Sequence, residues 1–215
     1  MIDLHIHSIF SDGVLIPSEI VSRAKQKGYK ALALTDHVDT SNIDFVLSGM
    51  VKVSRDLSLK TGVKVVPGVE ITHVPPSLIG GLVTEARERG AGIVIVHGET
   101  IVEPVPPGTN REAIIACADI LAHPGLITEE DAMLAAKNGV FLEITSRGGH
   151  SYTNGHIVRM ARRTGAELIF NTDAHGPGDF IDKETARAVL EGAGLLADDV
   201  SLIFENSANL IDKRG

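Results

Sequence analysis

The 215-residue chain reads as an α/β protein, a seven-stranded (β/α)7 barrel of TIM-barrel-like form. Three observations predict this. Short apolar runs alternate with amphipathic segments that stop at glycine. The apolar runs are nearly continuous, as expected for parallel strands covered by helices. Run after run also ends in histidine, aspartate or glutamate. An open doubly wound sheet would gather its ligands at one switch point. Polar residues at the C-terminal ends of most strands suit a barrel, whose βα loops build the site.

Each element follows in order. The first strand covers residues 1–6 and leads to the turn Ser11-Asp12-Gly13. Pro17 to Gly28 has proline in its first turn, an early Glu19 and a terminal glycine, which mark a helix from start to stop. Strand 31–35 comes next, then helix 44–60 with Gly62 beyond it. Strand 63–66, helix 77–89 and strand 92–96 follow. The piece Glu103-Pro104-Val105-Pro106-Pro107-Gly108 reads as a rigid loop flanking the strand ends. Helix 110–117, strand 119–122, helix 129–138 and strand 140–144 continue the alternation, and helix 153–164, strand 168–172 and helix 182–191 complete seven βα units. Gly90, Gly139, Gly165 and Gly192 stand near helix ends. No linker interrupts the pattern, so residues 1–215 are expected to form one domain.

Hydrophobic residues make up 43% and charged residues 22%, an ordinary balance for a chain with a full core. No apolar run approaches the roughly 18 residues needed to span a bilayer. No secretory signal is expected either, since Asp3, His5 and His7 interrupt the first strand. The single cysteine, Cys117, excludes an internal disulfide, and a cytoplasmic location is expected. Cys117 lies in the apolar stretch Ala113 to Ala118 and is expected to be a buried helix residue, not a nucleophile. The net charge of −8, from 20 basic and 28 acidic side chains, disfavours long nucleic acid. With no tryptophan and 4% aromatic residues, a base-stacking platform is not expected. An anionic substrate stays compatible, because bound divalent cations would invert the local potential.

The strand ends carry the chemistry. His5 and His7 are two apart on a strand, so their side chains share one face and can share one ion. Asp12 follows in a turn directly after this pair. A carboxylate can bridge two cations, whereas a neutral imidazole binds one, so Glu70 and Asp173 are the natural bridges of a multi-metal cluster.

The set Asp3-Leu4-His5-Ile6-His7-Ser8, Ser11-Asp12-Gly13, Thr35-Asp36-His37, Pro67-Gly68-Val69-Glu70 and Thr172-Asp173-Ala174-His175 closely resembles the PHP (polymerase and histidinol phosphatase) family. The resemblance runs in order along essentially the whole chain. It implies a distorted seven-stranded βα barrel, two to three divalent ions (zinc, manganese or iron) and phosphoester hydrolysis. Carried over by motif, a first ion is held by His5, His7, Glu70 and Asp173. A second takes Glu70, His97 and His123, and a third takes Asp12, His37 and His175. Some relatives have histidine where Asp12 stands; the aspartate makes that site harder and favours manganese or iron there. Glu143 matches a family carboxylate often followed two residues on by asparagine. Thr145 stands there instead, so Glu143 is expected to support a ligand rather than hold an ion.

This metal set implies that adjacent cations lower the pKa of a bridging water toward ~7, giving hydroxide for in-line attack on phosphorus without a serine or cysteine nucleophile. The expected substrate is a small phosphorylated metabolite or nucleotide. Asp36 is a candidate to orient or accept a proton, or to fix the tautomer of its neighbour His37. In the loop Thr145 to His150, Arg147 is a candidate for bidentate phosphate contact and His150 for substrate contact. His73 is expected in a loop without a metal role, His156 as a structural helix residue, and Arg111 as a weaker phosphate candidate that instead faces solvent. No membrane partner is expected, and the pattern sets no oligomeric state.

Two other function classes compete. Amidohydrolase barrels also begin with His-x-His and end with aspartate, but usually place a carboxylated lysine mid-barrel; Glu70 occupies that place here, and Asp36-His37 ends the second strand. A non-catalytic PHP-like binding subunit would typically have lost ligands, and every expected position is filled.

Overall fold

The computed structural model describes residues 1–214. In chain order the elements are β1 (Ile2–Asp3), α1 (Pro17–Gln26), β2 (Ala31–Leu34), β3 (His37–Val38), α2 (Ile43–Thr61) and β4 (Lys64–Ile71). Then come α3 (Pro76–Glu88), β5 (Ile93–His97), α4 (Thr109–Ile115), β6 (Ile120–Ala122), α5 (Glu129–Asn138) and β7 (Phe141–Thr145). The chain closes with α6 (Asn154–Thr164), β8 (Leu168–Asn171), α7 (Lys183–Gly192) and α8 (Ala197–Arg214). The strands pair in parallel in the order β1-β2-β4-β5-β6-β7-β8, with β3 also beside β4. The result is a nearly closed barrel wrapped by helices.

Seven strand positions match the expected count, because β2 and β3 are two pieces of one. Leu34 lies opposite Pro67 and His37 opposite Glu70, so the interruption at Thr35 and Asp36 faces Gly68 and Val69. Strand 63–66 was expected to stop before Pro67, yet β4 runs on to Ile71. A proline is tolerated in a strand where the ladder is already broken, and here the partner strand breaks beside it.

The continuous apolar runs have a direct explanation. Ile93 and Ile95 of β5 pack inside the barrel with Ile120, Ala122, Val66 and Ile169, while Val94 and Val96 pack outward against the helices. Both faces are dry, so both must be apolar. The same two-residue period carries the inward side of β5 to His97, of β4 from Val66 to Glu70, and of β8 from Ile169 to Asn171 and on to Asp173. The barrel interior therefore changes from aliphatic to polar at its C-terminal end.

The seam between β1 and β8 differs from the rest. Strand 1–6 was expected as a full strand, but only Ile2–Asp3 is a ladder strand, joined beyond by a single bridge from Ile6 to Ala174. Side chains replace the ladder. The Leu4 amide donates to Asn171 Oδ1 at 2.8 Å, and the Thr172 amide and hydroxyl donate to Asp3.

Helix α8 has no counterpart in the sequence reading, because no strand precedes it to complete a βα unit. Its Leu210 and Ile211 enter the inner cluster with Leu4 and Ala33 and plug the N-terminal end of the barrel. Cys117 is a second correction. Helix α4 ends at Ile115, so Cys117 falls in the following turn with φ 54° and is exposed, while Ala113 and Ile114 take the buried positions. Helix α7 ends at Gly192, one residue beyond the expected 191, and Gly194 two residues further on has the left-handed φ of 97°.

Candidate metal centre

The nine residues singled out as metal ligands converge at the C-terminal mouth of the barrel. His5 Nε2 lies 3.3 Å from Glu70 and 3.7 Å from Asp173. His7 Nε2 lies 3.2 Å from Asp173 and 3.5 Å from Glu70. His123 Nε2 approaches the same two carboxylates at 3.8 and 3.7 Å. Asp12 meets His175 Nε2 at 3.1 Å and His37 Nε2 at 3.5 Å. His97 stands edge-on to His123 with ring centres 4.5 Å apart. Glu70 touches His5, His7, His37 and His123, which places it at the centre of the group.

Several rings are held from behind. His5 Nδ1 hydrogen-bonds Glu143 at 2.8 Å, His97 Nδ1 meets the Gly98 carbonyl at 3.1 Å, and His175 Nδ1 meets the Asp173 carbonyl at 2.9 Å. His37 Nδ1 reaches the Thr72 hydroxyl at 2.6 Å. For His5, His97 and His175 the other ring nitrogen is left to face inward, the arrangement that orients imidazoles for a cation, whereas His37 Nδ1 also lies 2.8 Å from Glu70 and its Nε2 faces Asp12. Glu143 also accepts from Asn171 Nδ2 and from the His123 amide, so its own oxygens are taken up behind the ring of His5. His123 and Asp173 have φ of 27° and 54°. Left-handed backbone at non-glycine residues costs ~1 kcal/mol or more and gathers at functional sites.

The donor set fits cations on an observation independent of motif. Among the described residues, the buried polar atoms without a hydrogen-bond partner include His5 Nε2, both ring nitrogens of His7, both carboxylate oxygens of Glu70 and His123 Nδ1. Orphaned buried polar atoms are rare and each carries a desolvation cost of roughly 1–3 kcal/mol. Six of them in one place is what a cluster looks like when its partners are ions.

Charge balance tells the same story. Burial opposes charge on His5, but Glu143, Glu70 and Asp173 outweigh it and hold the pKa well above the ordinary histidine range. Burial likewise opposes charge on His37, yet Glu70 and Asp12 raise it to about 10. Burial raises Asp173 to about 7 against the pull of His5. Burial and the positive His37 depress His7 well below its usual value. Protons shared among these groups stand where cations would bind, and cations would displace them.

Of the three remaining candidates, Asp36 and Arg147 fall outside this ring of contacts and His150 packs against it. Asp36 is buried, and its oxygens accept from the Ser8 amide and hydroxyl and from the Ser11 hydroxyl at 2.8–3.0 Å. It does not contact the His37 ring, whose Nδ1 is held by Thr72 instead. Its contacts brace the loop that carries Asp12. Arg147 pairs with Asp179 at 3.4 Å and lines a cavity of about 340 Å³ with Ser146, Thr172 and Gly178. Asp179 in turn accepts from the His175 and Gly176 amides. His150 is buried and stacks on His123 with ring centres 4.1 Å apart.

Sequence reasoning missed Glu103. Its carboxylate meets His97 Nε2 and His73 Nε2, both at 3.1 Å, and His150 Nε2 at 3.4 Å. The hydrogen bond from His97 comes first among the causes that lower its pKa to about 2. The available signal was a lone acid in the proline-rich loop after His97. His73, a loop residue as expected, thus sits at the rim of the mouth. His156 of α6 bonds the carbonyl of Ile127, in the segment before α5, at 2.8 Å, and Arg111 pairs with Asp131 and Glu130 on the outer surface.

A family model described as PHP domain matches residues 3–138, and the chain belongs to that family. An uncharacterized protein of Methanocaldococcus jannaschii, MJ1295, is 46% identical over 90% of this chain and 89% of its own length. A protein of Shewanella pealeana named "Probable phosphatase" is 26% identical, covering 90% of this chain and 84% of its own. Among solved structures, a Listeria monocytogenes protein assigned as a histidinol phosphatase, hisK, aligns with a TM-score of 0.63 at 12% identity, over 86% of this chain and 99% of the other. An ochratoxinase of A. niger aligns at 0.67 with 11% identity, over 98% and 71%. The last two likenesses show the barrel fold alone, since it carries histidinol phosphatase and ochratoxinase names alike. Among the described residues, no helix is long and apolar enough to cross a membrane.

Proposed function

We propose that this PHP-family chain is a metal-dependent phosphoesterase acting on a small phosphorylated metabolite or nucleotide. The observation that carries it is the fully buried Glu70 carboxylate, which lies within 4 Å of four imidazoles without a well-aligned hydrogen bond, at the centre of six imidazoles and two further carboxylates. His5, His7, Glu70 and Asp173 would hold one ion, Glu70, His97 and His123 a second, and Asp12, His37 and His175 a third. Bound cations supply the Lewis acidity that makes water a nucleophile at neutral pH and neutralises phosphate charge.

The chain's own residues do the rest. Glu143 fixes the His5 tautomer through Nδ1, so that Nε2 faces the cluster. Asp36 holds Ser8 and Ser11, which sets the position of the half-exposed Asp12. Arg147, in the cavity whose wall includes Thr172 next to Asp173, is placed to receive phosphate oxygens or the rest of the substrate. Its present partner Asp179 is held by two backbone amides, which leaves the longer arginine side chain the freer of the two.

The amidohydrolase reading lacks a specific observation in its favour, since a carboxylate and not a lysine occupies the centre. Assay of the manganese-, zinc- and iron-loaded protein against phosphorylated metabolites, short oligonucleotides and an aryl phosphate tests the proposal. Release of phosphate from at least one of them is expected. A fully loaded protein inert to the whole panel would sink it.

A further inference from the structure

Three histidine rings meet where the family pattern supplies two. The third belongs to His150, in the short 3-10 turn His150–Thr153 after β7. We propose that His150 is itself a metal ligand, completing with Glu70, His97 and His123 a four-ligand cation site over which the loop carboxylate Glu103 closes. This deepens the proposed function and rests on its premise that the cluster holds ions.

The geometry makes the case. A loop histidine ordinarily reaches solvent, but His150 is 6% exposed. Its ring lies nearly flat on His123, with 16° between planes, and edge-on to His97 with centres 5.8 Å apart. One ring nitrogen from each of the three lies within 4.8 Å of the other two. Nitrogens around a tetrahedral zinc, at Zn–N of 2.0–2.1 Å, stand about 3.3 Å apart. Imidazole lone pairs lie in the ring plane, so gripping one ion asks the stacked His150 and His123 rings to tilt toward a common point.

Orientation agrees with placement. His150 Nδ1 hydrogen-bonds the Thr100 hydroxyl at 2.8 Å, which leaves Nε2 facing inward. This is the same support from behind that His5 receives from Glu143. Glu103 spans the two nitrogens that face the site, with Oε2 at 3.1 Å from His97 Nε2 and Oε1 at 3.4 Å from His150 Nε2. A carboxylate poised across two imidazole nitrogens is where an additional oxygen ligand would approach a cation held between them. Gly149, with φ 86°, lets the turn pass close to Val102 of the same loop as Glu103, so the two loops approach the site together.

The ligand chemistry sets the metal. Three imidazoles and one carboxylate favour zinc over manganese, and four protein ligands fill a tetrahedral zinc site. The Asp12 group is harder and half open to solvent. Zinc is therefore retained most tightly at the His150 site, and the exchangeable ions sit at the others.

The test strips the purified protein with chelator, then titrates zinc against a chromophoric competitor and cobalt(II) by its visible absorption. Wild type is expected to show one site tighter than the rest and an intense tetrahedral cobalt band. In His150→Ala and His150→Asn the tightest zinc site weakens ~10–100-fold and that band is lost, with circular dichroism unchanged. Thr100→Val, which removes only the support, weakens the same site by a smaller factor and carries the test if the His150 variants do not fold. Unchanged zinc affinity and cobalt spectrum across the folded variants would overturn the proposal, and a raised KM for aryl phosphate in that case would assign His150 to substrate instead. Tight zinc without any phosphoester cleavage would remove the proposed function and leave this site standing. A wild-type protein that binds no zinc would end this proposal, while the phosphoesterase reading would still stand or fall on the manganese- and iron-loaded assays.

Discussion

The two ends of the barrel bury charge in opposite ways. At the N-terminal end, Asp119 receives Arg87 at 2.7 Å, Arg214 of α8 at 3.0 Å and the Val94 amide at 2.8 Å. Apart from one guanidinium nitrogen of Arg87, that group is satisfied within the protein. At the C-terminal end, carboxylates and imidazoles face one another with six atoms unpartnered. A satisfied buried charge holds the fold together, and an unsatisfied one marks a place kept for something else.

The contrast can be broken by substitution at either end. The largest effect is expected from Glu70→Gln, which keeps the shape and removes the charge. Phosphoesterase activity should fall by roughly 10³-fold or more, a loss of about 4 kcal/mol of barrier lowering, together with bound metal measured by elemental analysis. Unchanged metal stoichiometry would refute the bridging role. At the other end, Asp119→Ala leaves the buried Val94 amide without its acceptor and two part-exposed arginines without a partner, and should cost about 1–3 kcal/mol of stability in denaturant unfolding, while activity per folded molecule holds. A large fall in that specific activity would show that the two ends are not independent.

Glu143→Gln should have a smaller effect than Glu70→Gln. The fold is expected to persist, but metal affinity should drop by ~10–100-fold because the neutral amide offers one acceptor oxygen where Glu143 serves three donors, which weakens the orientation of His5. Full affinity in a competition titration would mean that Glu143 only fills space. The smallest effect is in pH. In metal-free protein the His37 pKa is raised to about 10, so its charged form favours the fold fully below the unfolded value near 6.5 and that contribution fades as pH rises toward 10. Chelated protein should lose thermal stability over that window, and His37→Gln should flatten the loss. Metal affinity should run the other way and fall as pH drops, since cations compete with those protons. A chelated protein whose midpoint is flat between pH 6.5 and 10 would count against this account.

How much could be read in advance follows the same division. The inward parity of His97 and Glu70 is a local property of a strand, and the apolar runs ahead of them show it directly. Seven strand positions follow from the same runs. Contacts made by loops were not legible. Nothing in the sequence around Asp36 shows that it turns toward Ser8 and Ser11 instead of His37. Glu103 reaches His97, His73 and His150 only because a proline-rich loop folds back over the mouth. Cys117 was misplaced because the apolar stretch around it, which runs to Ala118, outlasts its helix by three residues. Helix α8 escaped a reading that looks for helices between strands.

The β1–β8 seam has a consequence for how the molecule assembles. Asp3 and Thr172, whose bonds close it, are 169 residues apart in sequence, and the groups beside them, His5, His7 and Asp173, meet across the same join. Contacts of that separation are paid for in loop entropy and form late in folding. An ion gripped from both sides of the join would act as a removable cross-link between the first strand and the last. Loading with metal would then be the final step of folding as well as the first step of activation.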